Sequence, residues 1–270
     1  RDAGPLASRP VTLKFLLDTY GKNREIPYGK ISLYCEGCKL LCKEPNEYRK
    51  ASETTGKLSW DQRMRIAARI AAMTIFSKNE AIIYDDSISA KENEITIYSL
   101  CGGKEHTKEI EFNITEEAIK ETLGIGGLFN SRGSGRMGWV HHTYAEFLAA
   151  WYLSQNKIPL NQVKSLIYHP SGAIVPLLHG VTSWLCAMDK DVYKEVCKTD
   201  PEILLFSDLM NISEADREIL VGTFMEQYNK KKLWDRPAMS HLRRLNHSKL
   251  GDQLRPYITE KGNSILARQT

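Results

Sequence analysis

The sequence predicts a mainly α-helical protein with one short β-hairpin near residues 128–140. Three observations carry that expectation. Apolar residues recur at helical spacing through most of the chain, as in Ile66, Ile70, Met73 and Phe76. Hydroxyl residues followed three positions later by Gln, Glu or Asp precede several such runs, at Ser59, Thr143 and Ser213, which is the signature of a capped helix start. Gly133-Ser134-Gly135 separates two extended arms, the mark of a hairpin.

Residues 8–42 read as two helices. Val11, Leu13, Phe15, Leu16, Leu17 and Tyr20 form the first apolar run, with Gly21 expected to stop it. Pro10 stands ahead of that run, where a proline suits the first turn of a helix. Ile31, Leu33, Tyr34, Leu40 and Leu41 form the second run, and Lys43 to Gly56 reads as a polar connector. Ser59 and Gln62 then open an alanine-rich helix. Ala81-Ile82-Ile83-Tyr84 is a strand candidate, Asp85 to Glu94 a loop, and Ile95 to Tyr98 is ambiguous between strand and helix. Ile110, Phe112 and Ile114 alternate with polar residues like a half-buried strand. Thr115 caps a helix with Glu116 and Glu117 in its first turn, where acids suit the helix dipole.

The hairpin leads through Arg136 to Val140 to His141, just ahead of a helix carrying Tyr144, Phe147, Leu148 and Trp151. Thr143 and Glu146 have the spacing of its capping box. A helix start offers free amides and a positive dipole end, so a phosphate could sit beside His141; the plain alternative is a strand-to-helix corner. Beyond about residue 156 the chain reads as short helices. Asp200-Pro201-Glu202 and Ser213/Asp216 mark two starts, Lys230-Lys231-Lys232 a helix end, and Leu242 and Leu254 centre short amphipathic segments. Such pairs suggest a solenoid-like array, without a clean repeat period.

At 270 residues the chain has the length of about two domains. Hydrophobic and charged contents of 42% and 26% are those of a globular protein, and a net charge of +4 is mild for a dedicated nucleic-acid binder. No apolar window is long enough to span a membrane. The start, Arg1-Asp2-Ala3, has neither methionine nor signal core and reads as a piece of a longer protein. Cys35, Cys38 and Cys42 are the only cysteine cluster and lack the second ligand pair of a zinc module, which favours free thiols in a reducing cytoplasm.

The run Trp139-Val140-His141-His142-Thr143-Tyr144-Ala145-Glu146-Phe147-Leu148-Ala149-Ala150 resembles the end of the winged-helix domain in NACHT-type STAND NTPases. The likeness of Arg136 to Trp139 and Thr143 to Glu146 is to bacterial Avs-like proteins of antiviral phage defence. The resemblance implies three regions: residues 1–57 as the end of the ATPase helical domain with its connector, 58–155 as the winged helix, and 156–270 as the start of a helical sensor array. It implies that His141 contacts the phosphates of ADP or ATP and holds a closed, autoinhibited state. It also implies that Pro10 packs against the adenine, although Ser8 replaces the glycine of the family's Gly-x-Pro. The Mg ligands and phosphate loop would lie in an upstream NTPase domain, since no Gly-x4-Gly-Lys-Ser/Thr occurs in this chain. Alone, the chain is then expected to be inactive. Expected partners are nucleotide, the upstream domain, a phage or other foreign protein, and further copies on activation.

A second reading is a winged-helix DNA-binding regulator with a helical effector domain. Arg132 and Arg136 could touch phosphates, yet Glu116, Glu117 and Glu121 burden the helix that would enter the groove. A free-standing hydrolase has least support: neither His-Glu-x-x-His nor Gly-x-Ser-x-Gly occurs.

Overall fold

A computed structural model describes residues 10–25, 29–43, 56–206, 212–230, 245–260 and 262–263. The chain divides into two compact units, with the boundary between Ile158 and Pro159. Helices dominate both.

The first unit contains helices α1 (Pro10–Asn23), α2 (Lys30–Leu41), α3 (Trp60–Phe76), α4 (Ile97–Leu100), α5 (Glu116–Gly124) and α6 (His142–Gln155). Its strands are β1 (Ala81–Ile83), β2 (Glu94–Thr96), β3 (Lys104–His106), β4 (Glu111–Asn113), β5 (Phe129–Ser131) and β6 (Arg136–Trp139). Helix α3 begins at a complete capping box, in which Ser59 accepts from the Gln62 amide and Gln62 accepts from the Ser59 amide. Thr115 caps α5 through the Ala118 amide at 3.2 Å. Helix α3 packs against both α5 and α6, and Ile70, Ile119 and Phe147, one from each of the three, are at most 1% exposed.

The expected hairpin is present: Phe129 pairs with Trp139 and Ser131 with Met137. Gly133 and Gly135 take positive φ in its turn, where glycine escapes the Cβ clash. The hairpin is part of a larger sheet ordered β2-β1-β6-β5, because β1 pairs antiparallel with β6 and parallel with β2. In chain order these elements run α3, β1, β2, α4, β3, β4, α5, β5 and β6. The ambiguous stretch splits: Ile95 lies in a strand and Ile97 begins a helical turn. A second antiparallel pair, β3 with β4, was not expected beyond its β4 half.

Two local expectations need correction. Gly21 does not stop α1, which runs on to Asn23. Thr143 is not the cap of α6: His141 is the extended N-cap residue (φ −136°, ψ 133°) and its carbonyl accepts the Tyr144 amide at 3.1 Å. The helix therefore starts at His142, and Thr143 is already inside it, where its hydroxyl cannot reach the position a capping box demands.

Polar clasps join these parts. Arg63, 6% exposed, donates from Nε to the Cys42 carbonyl at 2.8 Å and from Nη1 to Glu121 at 3.2 Å. Glu121 also accepts the amides of Lys57 and Leu58. Close by, the Gly127 amide donates to the Leu41 carbonyl at 2.9 Å. Glu105 on β3, 3% exposed, faces Arg69 at 3.3 Å and Arg65 at 3.6 Å and accepts the Tyr152 hydroxyl at 2.7 Å.

The second unit holds α7 (Leu160–Ile167), α8 (His179–Met188), α9 (Lys190–Thr199), α10 (Glu214–Asn229) and α11 (Leu250–Thr259), with 3-10 turns at Pro176–Leu178 and Pro201–Phe206. Asp189 caps α9 through two amides, and Ser213 caps α10 through the Asp216 amide. The start expected at Asp200-Pro201-Glu202 forms only a 3-10 turn, and Asp200 does not act as its side-chain cap. Ile203, Leu204 and Leu205 are all at most 1% exposed, and three consecutive buried residues suit a tight turn wedged among helices better than one face of an α-helix. At the end of α10, Lys230 pairs with Glu226; Lys231, Lys232 and Leu242 lie outside the described residues. Leu254 lies on α11, which buries no residue.

Candidate functional site

His141 is placed by two elements. Strand β6 ends at Trp139, which is anchored by its indole N–H on Thr74 Oγ1 at 3.2 Å and by the Phe129 ring at 4.3 Å. Helix α6 begins immediately after His141. The imidazole is exposed and stands edge-on to Tyr144 with centroids 5.2 Å apart. His142 points its Nε2 to Glu146, 3.6 Å away, so the adjacent imidazoles have separate settings.

Tyr144 connects this corner to the first two helices. Its ring stacks on Phe15 of α1 at 5.1 Å, and Phe15 meets Tyr34 of α2 edge-on at 5.3 Å. Tyr34 in turn contacts Phe147 at 5.4 Å. These four rings are at most 2% exposed. Phe15 lies five residues into a helix whose first residue is Pro10, about 7.5 Å along its axis. The two residues singled out in the sequence thus start two helices that share one aromatic cluster.

Thr143 adds a feature that the capping-box reading concealed. Its Oγ1 is buried and has no hydrogen-bond partner among the described residues. Buried hydroxyls are ordinarily satisfied. This buried hydroxyl and the exposed imidazole flank the first turn of α6, where amides not used within the helix are donors of the kind an anion's oxygens accept. A phosphate fits that chemistry.

The two arginines of the hairpin have partners within the chain. Arg132 donates from Nη2 to the Trp139 carbonyl at 2.7 Å. Arg136 clamps Glu94 with Nε at 2.8 Å and Nη2 at 3.2 Å, and its guanidinium holds the Glu94 carboxyl below the usual carboxylate range. Arg132 itself is exposed, and Arg136 is half-buried.

All six cysteines are free thiols, with Cys38, Cys42, Cys186 and Cys197 buried. Burial pushes Cys35 up to about 11 and Cys42 up to about 12, so these thiols are poor nucleophiles and poor metal ligands at neutral pH. Among the described residues no group of three or more His, Cys, Asp or Glu could hold a metal ion. None of the described helices is long and apolar enough to cross a membrane.

No protein-family model, curated protein or solved structure matches the chain.

Proposed function

We propose that this chain is the helical, winged-helix and early sensor-array portion of a NACHT-type STAND NTPase of prokaryotic antiviral defence. The reading rests first on the ordered motif from Trp139 to Ala150. The observation that supports it most is the corner at His141: an exposed imidazole at a helix start, beside the orphaned Thr143 hydroxyl, tied through Tyr144 and Phe15 to the helix that Pro10 begins.

In this reading an upstream domain supplies the phosphate loop and the Mg ligands that hydrolysis requires. Within this chain, His141 donates a hydrogen bond to a phosphate oxygen, the first-turn amides of α6 add theirs, and Pro10 lies against the base. These contacts are made in the closed state and lost in the open one, so ADP favours closure only by its differential affinity for the two. Capture of a foreign protein by the helical array then releases the latch and permits assembly of further copies.

The test needs the protein with its upstream NTPase domain. A charge-assisted hydrogen bond is worth about 1.5–3 kcal/mol, so His141→Ala is expected to weaken ADP retention by roughly one to two decades. His142→Ala, whose imidazole is turned to Glu146, is expected to leave it near wild type. Equal ADP affinity in wild type and His141→Ala would reduce His141 to a corner residue.

A further inference from the structure

A cleft of about 480 Å3, whose lining does not include His141, lies between the first turn of α3, the end of α6 and the turn joining β3 to β4. Its walls are mainly apolar, with Met64 and an indole from each helix in the lining: Trp60 from α3 and Trp151 from α6. Its size falls in the range of ordinary small-molecule sites.

The cleft is rigidly framed. The β3–β4 hairpin is fixed to α3 and α6 by Glu105 with Arg65, Arg69 and Tyr152. Arg65 lies over the Trp151 ring at 5.6 Å and donates from Nε to the His106 carbonyl at 3.0 Å and from Nη2 to Asn156 at 3.4 Å. Its Nη1 has no acceptor among the described residues. Lys108, at the hairpin turn, also lines the cleft and has no ion partner among them.

Acids line the same space. Asp61 takes the Ser59 hydroxyl on Oδ1 and has no donor for Oδ2 among the described residues, and the Glu109 carboxylate has no partner there either. Two cations and two carboxylates thus line an aromatic slot. A simple anion meets Asp61 and Glu109, and a simple cation meets Arg65 and Lys108. A ligand that carries one charge of each sign beside a planar ring matches both sets and the indoles together.

We propose that this cleft binds a free aromatic amino acid as its zwitterion. The ring lies against Trp60 and Trp151, the carboxylate takes Arg65 Nη1 and Lys108, and the ammonium takes Asp61 and Glu109. The proposal is independent of the nucleotide reading, which concerns α1 and the start of α6.

Calorimetric titration of the 270-residue chain tests it with four probes. L-phenylalanine is expected to bind saturably. Phenylacetate lacks the ammonium and phenethylamine the carboxylate, and each is expected to bind at least about tenfold more weakly. N-acetylphenylalanine amide lacks both charges and is expected to be weaker still, which separates a free amino acid from a residue within a peptide. Lys108→Ala, a change at an exposed turn that leaves the core intact, should weaken L-phenylalanine about tenfold and leave phenethylamine unchanged. Absence of saturable phenylalanine binding, equal binding of all four probes, or tightest binding of the amide would each overturn the proposal.

Discussion

Glu105 is carried by a strand whose neighbours, Lys104 and His106, are exposed, and it alone turns inward to two arginines and a tyrosine hydroxyl. Neutralising it as Glu105→Gln keeps the shape and removes the anion that balances Arg65 and Arg69. Breaking a buried pair from one side costs about 3–5 kcal/mol, with the lower end expected here because both arginines keep some water contact. Chemical denaturation should show that loss, and Glu111→Gln on the exposed side of the same hairpin should show clearly less. Lys104-Glu105-His106 was not legible as a strand because no apolar alternation marks it; the inward residue is itself a carboxylate, and its partners are 36 to 47 positions away. Thr143 misled for a related reason. Its spacing to Glu146 is that of a cap, yet the extended backbone ends at His141, two residues too early, so the helix has begun before Thr143 and the hydroxyl lacks the amide it was expected to bind.

Elements with local signals were read well, and those with distant partners were not. Ser59, Thr115 and Ser213 cap helices as their sequences predict, since a cap is decided within four residues. The parallel pairing of β1 with β2 was hidden because each is three residues long and their register depends on the rest of the fold. The close approach of α2 to the α5–β5 loop was hidden likewise. Gly126 has φ +98°, and a Cβ there would stand 2.0 Å from the Leu41 carbonyl oxygen. Gly126→Ala should therefore strain the backbone by about 1–3 kcal/mol and break the Gly127–Leu41 hydrogen bond. Hydrogen exchange is expected to accelerate in α2 while α3 and α6 stay protected; uniform protection would show that the contact is dispensable. The hairpin offers a pH test. Arg136 lowers the Glu94 carboxyl, so this pair contributes stability above the ordinary glutamate range and loses it as pH falls through the folded value. Between about pH 6 and about pH 3, wild type should lose more thermal stability than Glu94→Gln.

For the whole molecule, the helical class and its small hairpin were legible because periodicity and glycine turns repeat throughout the chain. The candidate site was legible only in part: His141 and Pro10 were marked, and the ring cluster joining their helices was not, since Phe15, Tyr34, Tyr144 and Phe147 read as ordinary core positions. The free cysteines carry a different consequence. Of the buried ones, Cys38 sits in α2 and Cys42 just past its end, while Cys186 and Cys197 sit in α8 and α9, so buried thiols occur in both units. Burial raises Cys38, Cys42, Cys186 and Cys197 above their ordinary range. In the native state these sulfurs are shielded and protonated, whereas each becomes an ordinary thiol once its unit opens. A maleimide added in excess should modify Cys186 and Cys197 at a rate set by opening of the second unit, and Cys38 and Cys42 at a rate set by opening of the first. Peptide mass spectrometry over time would separate the two. The chain thereby contains its own pair of stopwatches, one in each unit, that need no introduced label.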